Sequence, residues 1–339
     1  ALVHAEHRLE RSWADHPDLA GHGVVVRRHV LDARLDDAAA AAGAVVLHGH
    51  AATTPLVERG FVRGAAVSGP DGVPLTARAR YLLVADGANS RFGRSIGTFR
   101  RRSWPSVTAV RGSWATPHHD AHHVELALDL TGRDGSPLTG VGWIFPTSDG
   151  HADVGVGVWS TSHEFRSVST AELLRRFVAE RAERWGFAED PVSTPVSGRI
   201  PVGTSVRPTA GPAHLVVGDA AGTADPLTGA GVEQALLSGR LAGEVLAEAL
   251  TSRDPTALQR YPPALDAEVE TYFKVGRLVA RMAGRPRVAR SGGRLLATRP
   301  WAADAALRIG LGALRHDGAG TAERLYRAAR LVSLVAPNS

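Results

Sequence analysis

The residues best suited to chemistry lie between Gly218 and Val232, in the segment GDAAGTADPLTGAGV. The apolar run His214–Val217 before it predicts a short strand, and Asp219 follows at the end of that strand. A carboxylate there can accept hydrogen bonds from the hydroxyl groups of a ligand. Because Ala220 and the residues after it are small, the backbone can approach a ligand closely. The pattern therefore predicts a ligand at the carboxyl end of this strand.

Two glycines close the same segment and open a predicted helix from about 231 to 250. The first N–H groups of a helix lack partners within the helix, and the helix dipole places positive charge at that end. Gly229 and Gly231 would let a group that gains negative charge come close to these N–H groups. Taken alone, such a glycine-rich junction is also typical of any phosphate site, or of tight packing between a strand and a helix.

A second predicted strand delivers another carboxylate. The apolar run Tyr81–Ala85 is typical of a parallel strand that presents a loop to a ligand at its carboxyl end, and the loop begins with Asp86 and Gly87. We expect Asp86 to lie near Asp219 and Gly231, beside a concave surface.

Arg28 is the third candidate, in the segment Arg27–Leu35. Residues Leu31–Ala42 are strong helix formers, and Gly43 is placed to end the helix. In one interpretation Arg28 reaches the ligand of the other two segments. In the other, the segment is a capped helix on the protein surface.

The middle third of the chain predicts an antiparallel sheet. Residues 123–129 alternate, with Val124, Leu126 and Leu128 on one face. The runs 142–146 and 152–158 flank a Ser-Asp-Gly sequence that favours a hairpin turn.

A helix is expected after this sheet. Ser169 and Glu172 have the spacing of a capping box, and the helix is predicted to run to about Trp185. Its inward face is predicted to hold four apolar residues: Leu173, Leu174, Phe177 and Val178.

The remaining segments complete an α/β pattern. Ala44–His48 predicts a buried strand, and 69–72 predicts a tight turn. The carboxyl-terminal part is expected to be helical, with breaks near Pro286, Gly292–Gly293 and Asp317–Gly318. The order α/β, β, α/β and α predicts an α/β (α+β) fold in which a sheet domain interrupts a cofactor domain.

The segment Val84–Ser90, followed by Arg91 and Arg94, resembles the ADGxxSxxR motif of the flavin-dependent hydroxylase superfamily. Gly93 stands where the arginine of that motif often falls, and Arg94 comes one residue later. Arg27–Leu35 is similar to the RxxLDxxL helix start of the same superfamily.

Two further motifs resemble the geranylgeranyl reductase branch of this para-hydroxybenzoate-hydroxylase-like superfamily, whose members reduce isoprenoid double bonds. Val141–Pro146 is similar to the YxWxFP box of the branch, and Asp153–Gly157 to its NVGxG motif. Val141 replaces the Tyr of the first motif, and Asp153 replaces the Asn of the second. The resemblance covers nearly all of residues 24–290.

The resemblance implies FAD as cofactor, held by a discontinuous Rossmann-like FAD domain with an inserted antiparallel-sheet substrate domain and a helical C-terminal region. It implies FAD-domain parts at 1–100 and 206–252, the substrate domain at 101–205 and the helical region at 253–339. The implied cofactor-binding residues are Arg28, Asp86, Gly87, Gly218, Asp219, Ala220, Pro226, Gly229, Gly231 and Val232.

The implied reaction is hydride transfer from reduced flavin to a C=C bond of an isoprenoid or polyprenyl substrate, with NAD(P)H or a reduced carrier protein as electron donor. The implied substrate-binding residues are Trp143, Phe145 and Pro146. Trp143 and Phe145 alternate along a strand and therefore share a face, either as the wall of an apolar slot or as sheet core. No catalytic acid is assigned.

Two other functions stay open. An FAD-dependent monooxygenase, hydroxylase or halogenase acting on an aromatic or polyketide substrate would share both flavin motifs. The halogenase box resembles WxWxIP, and here Val141 and Phe145 replace its first Trp and its Ile. The second alternative is a non-catalytic fragment that binds a lipid or a partner without a cofactor.

Composition limits the kinds of catalytic site and partner to be considered. The chain has no cysteine, which excludes thiolate catalysis and cysteine-ligated metals within it and fits a cytoplasmic protein. No nucleic-acid partner is expected. The histidine-rich segment His118–His123 predicts a solvated turn rather than a metal site.

Positive charge is concentrated near the carboxyl end. From Val275 to Ser339 there are twelve Arg and three acidic residues, a local charge of +9 in a chain of net charge +5. This segment is expected to be a solvated helical surface, with peripheral contact to anionic lipid at the inner face of the membrane as the alternative.

The superfamily's GxGxxG turn, which cradles the pyrophosphate, does not appear, and Gly21-His22-Gly23 lacks its third glycine. The sequence therefore predicts an N-terminally truncated flavoprotein. We expect residues 1–339 alone to bind FAD weakly or not at all. A flavin fluorescence titration checks this expectation, and tight stoichiometric binding would contradict it.

Overall fold

The computed structural model describes residues 1–13, 20–315 and 320–335. The strands are β1 (Leu2–His4), β2 (His7–Leu9), β3 (Ala51–Glu58), β4 (Phe61–Ser68), β5 (Pro74–Arg78), β6 (Leu82–Val84), β7 (Phe99–Arg100), β8 (Ser106–Ala115), β9 (Glu125–Ala127), β10 (Gly140–Pro146), β11 (His151–Trp159), β12 (Val196–Pro201), β13 (Val206–Arg207) and β14 (His214–Val216). The α-helices are α1 (Arg28–Ala41), α2 (Arg91–Ser95), α3 (Thr170–Ala179), α4 (Ala182–Trp185), α5 (Val232–Ser252), α6 (Tyr261–Ala283), α7 (Pro286–Thr298), α8 (Pro300–Gly310) and α9 (Thr321–Val335).

The described chain divides into two compact units, each discontinuous in sequence. The first unit contains the described residues of 1–27, 105–199 and the described residues from Lys274 onward. The second contains residues 28–104 and 200–273. A segment rich in antiparallel sheet thus interrupts a segment of mixed α/β character, as the order of predicted elements indicates.

The first unit is built on a seven-stranded sheet of order β12-β8-β11-β10-β9-β1-β2. Strands β10 and β11 form the predicted hairpin, in which Gly140 pairs with Val158 and Pro146 with Ala152. Its turn contains Ser148 at φ 58°. Strand β1 pairs in parallel with β9, whereas β8, β9, β10 and β11 pair in antiparallel fashion.

Helix α3 covers one face of this sheet. The Ser169 hydroxyl accepts a hydrogen bond from the Glu172 N–H at 3.4 Å, which confirms the predicted cap. All four predicted inward residues of α3 are buried. Phe177 lies against Gly142 of β10, where a Cβ would stand 2.2 Å from the ring. The helix ends at Ala179, earlier than predicted, and α4 continues the path.

The alternating pattern of 123–129 predicted a shared face correctly, but the opposite face is the more buried one. Glu125 and Ala127 are fully buried, whereas Leu126 is half-buried. The Glu125 carboxylate accepts a hydrogen bond from Arg184 and lies 3.6 Å from the Arg181 guanidinium. Because these arginines are distant in sequence, the alternation alone could not reveal a paired carboxylate in the core.

The second unit contains a parallel pair, β6 and β14, and an antiparallel meander of β3, β4 and β5. The predicted turn between β4 and β5 is present, with Gly72 at φ 71°. Helices α5 and α6 pack on β14 through a core that includes Leu215, Leu241 and Tyr261. The Tyr261 hydroxyl donates a hydrogen bond to the Val216 carbonyl at 3.1 Å, which fixes α6 to the strand.

The prediction of a buried strand at Ala44–His48 was wrong. Gly43 ends α1 at φ 95°, as predicted, but the residues after it are not a strand, and Val45 is 86% exposed. Within the described residues no strand lies beside this segment to pair with it. An apolar run forms a strand only where a partner supplies hydrogen bonds, and the run itself does not encode the partner.

The helical end of the chain has its break before Pro286, as predicted, but α7 continues through Gly292–Gly293. A Cβ on Gly293 would stand 2.5 Å from the His4 ring, so this glycine allows close packing rather than a break. The next break falls at Arg299 instead, where Pro300 starts α8. The break predicted at Asp317–Gly318 lies outside the described residues.

None of the helices, within the part of the chain that the structure describes, combines the length and apolar character that crossing a bilayer requires.

The burial of His214 predicts that the second unit loses folding stability at acidic pH. Its side chain is buried against Gly211, and neither ring nitrogen has a hydrogen-bond partner among the described residues. Burial lowers the pKa of His214 below its ordinary value. Below that value the unfolded chain takes up a proton that the folded chain resists, so stability falls as the pH falls.

We expect His214→Leu to reduce this loss of unfolding free energy between about pH 7 and about pH 5 by on the order of 1 kcal/mol. Urea denaturation at several pH values measures the difference. The variant His22→Leu, at an exposed position, is the control. Identical pH slopes for the parent chain and His214→Leu would contradict the prediction.

Candidate functional site

The candidate site begins at the carboxyl ends of β6 and β14. These strands are parallel neighbours in which Val84 pairs with Val216, and the Val217 N–H donates to the Val84 carbonyl at 3.0 Å. Asp86 comes two residues after Val84, and Asp219 three residues after Val216. Both predicted carboxylates therefore leave the same edge of the sheet, where open α/β folds bind ligands.

Asp86 is partly engaged in organising its own loop. Its Oδ2 accepts a hydrogen bond from the Phe92 N–H at 3.1 Å, and the Ser90 hydroxyl accepts one from the Gly93 N–H at 3.0 Å. These bonds cap α2, and Gly87 adopts φ 78°. The Asp-Gly segment is thus a turn that caps the following helix. Asp86 remains exposed, and one of its carboxylate oxygens accepts a capping hydrogen bond.

Asp219 lies directly against the start of α5. It belongs to a single turn of 3-10 helix, Gly218–Ala221, that is fixed by a hydrogen bond from the Gly218 N–H to the Ser238 hydroxyl at 3.0 Å. A Cβ on Gly231 would stand 2.9 Å from Asp219 Oδ1. Gly231 is the N-cap of α5 and contributes no side-chain cap. Glycine at this position thus lets the carboxylate approach the helix start without having to shift.

One oxygen of the Asp219 carboxylate is left without a hydrogen-bond donor by the residues that the structure describes. Its Oδ1 is buried and has no hydrogen-bond partner among the described residues. Burial raises the pKa of Asp219, and the positive charge of Arg28 opposes that shift. Arg28 itself forms an ion pair with Asp32 at 3.1 Å. An acceptor left in this state is suited to a hydroxyl group supplied by a ligand.

Asp225 has a structural role that the sequence analysis did not assign. Its carboxylate accepts hydrogen bonds from the Leu227 N–H at 2.6 Å and from the Tyr272 hydroxyl at 3.0 Å. Its own N–H donates to the Ala230 carbonyl at 2.8 Å, which closes the loop. Burial raises the pKa of Asp225, and these hydrogen bonds oppose the shift. Asp225 thus shapes the loop that leads into α5.

The other predicted cofactor residues of this loop differ in accessibility. Ala220 is 1% exposed and packs in a small core with Phe92 and other apolar residues, so only its backbone could meet a ligand. Pro226 is buried, and Gly229 turns the chain at φ 75°. Val232, in the first turn of α5, is 42% exposed.

Gln234 is a candidate that the sequence analysis missed. It lies in the first turn of α5, and its Oε1 is buried without a partner in the described part of the chain. Its position three residues after Gly231 was the available signal.

The residues present fit a flavin dinucleotide. Asp219 and Gln234 offer unsatisfied acceptors for hydroxyl or imide N–H groups. The uncapped start of α5 offers N–H groups to an electron-rich ring edge. A bound flavin would supply the redox chemistry, and these residues would orient it.

The predicted substrate residues lie in the first unit. Trp143 and Phe145 are half-buried on one face of β10, and Ile144 on the opposite face is fully buried in the core. The two aromatic side chains therefore lie on the face of β10 opposite Ile144, and whether they contact a substrate stays a prediction. Pro146 alternates to the face of Ile144, so it does not share a surface with the two aromatic residues.

Trp143 is held in a fixed orientation. Its indole N–H donates to Asp153 Oδ1 at 2.9 Å, and Arg111 forms an ion pair with the other carboxylate oxygen. A Cβ on Gly155 would stand 2.1 Å from the indole, so the ring lies flat against β11. The Phe145 ring is 6.4 Å away, inclined by 31°. The result is a flat aromatic surface, which we call the Trp143 platform.

The histidine-rich segment shows no metal geometry. Among the residues that the structure describes, no group of three or more His, Asp or Glu side chains is placed to hold a metal ion. His118 and His123 instead contact the Trp185 ring.

Comparison with known proteins connects this geometry to a family. The family described as "FAD binding domain" matches residues 20–270. A menaquinone reductase of Mycobacterium tuberculosis is 33% identical over 279 residues, which cover 82% of this chain and 66% of that protein. Digeranylgeranylglycerophospholipid reductase 2 of Methanopyrus kandleri is 35% identical, with 76% of this chain and 64% of that protein covered. The chain thus spans slightly less than two thirds of the length of these relatives.

Solved structures confirm the fold class. A geranylgeranyl bacteriochlorophyll reductase-like protein from Thermoplasma acidophilum superimposes with a TM-score of 0.69 at 24% identity, covering 83% of this chain and 70% of that one. The flavin-dependent brominase Bmp2 superimposes with a TM-score of 0.62 at 17% identity, covering 90% and 74%. Both show a shared fold and do not by themselves distinguish a reductase from a halogenase.

Because Asp219 Oδ1 lacks a partner among the described residues, we expect this side chain to lower folding stability while it favours flavin binding. In the absence of flavin, we expect Asp219→Asn to raise the unfolding free energy at neutral pH by about 1 kcal/mol, because it removes a buried charge without a partner. The gain should shrink as the pH falls, since protonation then neutralises the parent carboxyl group. Flavin affinity should fall in the same variant.

Thermal and urea denaturation measure this effect. Asp254→Asn is the control, because hydrogen bonds from Thr256 lower the pKa of the exposed Asp254 and its charge is already favoured. That variant should show no gain. A loss of stability in Asp219→Asn would mean that the carboxylate serves the fold rather than a ligand.

Proposed function

This chain belongs to the FAD-binding domain family, and we propose that it works as an FAD-dependent oxidoreductase that reduces C=C bonds of an isoprenoid or polyprenyl substrate. The observation that carries the proposal is the buried Asp219 Oδ1, which has no hydrogen-bond partner among the described residues and lies against Gly231 at the start of α5. The reductase names of the relatives from Mycobacterium tuberculosis and Methanopyrus kandleri support the reaction class.

We propose that the second unit holds the cofactor. The Asp219 carboxylate would accept a hydrogen bond from a flavin hydroxyl, and Arg28 would add positive charge beside it. The first N–H groups of α5 would stabilise negative charge that develops on the reduced ring. The Asp86 loop, held in place by the hydrogen bond that caps α2, would contact the cofactor at the end of the neighbouring strand β6. When bound, FAD supplies the hydride, and the chain supplies orientation and charge.

The Trp143 platform is the proposed contact for the substrate chain. A flat indole, held by Asp153 and backed by Gly155, offers an apolar face of fixed orientation. A polyprenyl chain is apolar and flexible, so a rigid surface that reduces its freedom favours productive binding. Phe145 extends the surface by one further ring.

The electron donor is proposed to be NAD(P)H or a reduced carrier protein. We place the enzyme in the cytoplasm, with peripheral contact at the inner face of the membrane through its Arg-rich carboxyl-terminal region.

Product analysis tests the proposal. Because weak FAD binding is expected, the protein is assayed in a large excess of FAD, anaerobically and with a chemical reductant. It should add two hydrogens to a polyprenyl quinone or a geranylgeranyl lipid, detected by mass spectrometry. Oxygen uptake driven by an aromatic substrate, with no anaerobic reduction of either lipid, would assign the monooxygenase reaction instead.

The Trp143 platform gives a residue-level prediction. Trp143→Ala should raise KM for the polyprenyl substrate on the order of tenfold, because it removes most of the apolar contact area, while the rate of flavin reduction by the donor stays unchanged. Steady-state and stopped-flow kinetics separate the two effects. Trp301→Ala, at a half-exposed tryptophan of α8, is the matched control. Equal effects of both substitutions on KM would contradict the assignment of the Trp143 platform as the substrate contact.

A further inference from the structure

We propose that the outward face of α9 is a docking surface for a bilayer that contains anionic lipid. The inference rests on the proposed function in one respect only, because a polyprenyl substrate is carried in membranes. It assigns the contact to one helix of the first unit and to named side chains.

Helix α9 is buried on one side and apolar on the other. Ala322 and Ser333 are each 2% exposed and lie on the side that packs against the unit. In contrast, Leu331 is 67% exposed and Leu334 is 64% exposed. Val332 and Leu325 are also exposed, at 54% and 45%. A patch of large aliphatic side chains on the outside of a helix indicates a surface that is covered in the working protein.

Helix α3, in the same unit, shows the opposite arrangement. All the large apolar residues of α3, including Leu174 and Phe177, are buried beneath the sheet. Helix α9 packs against the unit through small residues such as Ala322, whereas its leucines Leu331 and Leu334 face solvent. The unit itself therefore does not use these leucines as core.

Arginine side chains share the exposed face. At 100° per residue, Arg324 and Arg327 lie on the same side of α9 as Leu331 and Leu334. The arginines are exposed, whereas Glu323, the sole acidic residue of α9, is 5% exposed and accepts a hydrogen bond from the Arg315 N–H. The outward face of α9 thus combines aliphatic and positive groups, and none of the described residues of this helix adds an exposed carboxylate to it.

This combination matches the interface of an anionic bilayer. Leucines can enter the boundary between headgroups and acyl chains, and arginines can lay their aliphatic stems along it while their charged ends reach lipid phosphates. Each arginine near such a surface strengthens binding by about fivefold. The charge of +9 from Val275 to Ser339 acts in the same direction.

A second copy of the chain fits the same face poorly. A two-fold symmetric contact through α9 would place the arginines of one copy against those of the other. Since the described residues of α9 add no exposed carboxylate, the apolar contact would form against repulsion between these arginines.

Vesicle sedimentation tests the proposal. The 339-residue chain, without substrate or reductant, is mixed with sucrose-loaded vesicles of phosphatidylcholine or of phosphatidylcholine with phosphatidylglycerol. We expect binding to the anionic vesicles and at least tenfold weaker binding to the neutral ones. Leu331→Ser/Leu334→Ser should weaken binding to the anionic vesicles on the order of tenfold without changing charge. Arg324→Gln/Arg327→Gln should weaken it similarly and reduce its salt dependence.

Matched controls keep the test specific. Val57→Ser/Val73→Ser removes two exposed aliphatic residues elsewhere, and Arg80→Gln/Arg175→Gln removes two exposed charges elsewhere. Both control variants should bind as the parent chain does, and circular dichroism confirms that each variant folds.

Three results overturn the proposal. They are absence of binding to anionic vesicles, equal losses in the α9 and control variants, and a dimer that Leu331→Ser/Leu334→Ser abolishes. Because no turnover is measured, a failure here leaves the proposed reductase activity untouched, and inactivity of the reductase leaves this surface untouched.

Discussion

The candidate site depends on the close approach of Asp219 Oδ1 to Gly231. The carboxylate follows the end of β14, and a Cβ added to Gly231, where the helix begins, would stand 2.9 Å from that oxygen, so the carboxylate would have to shift. This contact places an unpaired acceptor beside free N–H groups, in a setting that excludes much of the water. A carboxylate and a helix start could in principle pair, but α5 has no side-chain cap, and Asp219 Oδ1 has no hydrogen-bond partner among the described residues. A ligand that offers hydroxyl groups and an electron-rich ring edge meets both needs together.

Two buried aspartates of the same loop show how similar chemistry can serve different ends. Burial raises the pKa of both Asp219 and Asp225. Asp225 recovers much of its lost hydration from the Leu227 N–H and the Tyr272 hydroxyl, and in doing so it closes the loop. Asp219 has no such donor for Oδ1. The direction of the pKa shift therefore does not identify the functional residue; the difference lies in which carboxylate the chain has left unsatisfied.

Local sequence predicted those elements whose stabilising contacts are themselves local. The cap at Ser169 and the β10–β11 hairpin were both correct, because a cap or a turn depends on residues a few positions apart. The strand predicted at Ala44–His48 was wrong because strand formation needs a partner. The more buried face of β9 was not foreseen, since Glu125 is held in the core by Arg184, which is distant in sequence. For Gln234 the sequence offered only its position three residues after Gly231, and the coordinates add that its Oε1 is buried without a donor among the described residues.

The same distinction applies to the Trp143 platform. Sequence indicated that Trp143 and Phe145 share a face, which follows from the two-residue period of a strand, and it left open whether that face is core. The structure shows that α3 covers the opposite face through Phe177, a contact between residues distant in sequence. The replacement of Asn by Asp at position 153 then acquires a physical meaning. A carboxylate oxygen serves the indole N–H as an amide oxygen would, and its second oxygen adds an ion pair with Arg111. The substitution therefore preserves the orientation of the indole and ties it to a neighbouring strand, so this departure from the family motif is compatible with a substrate-facing role for Trp143.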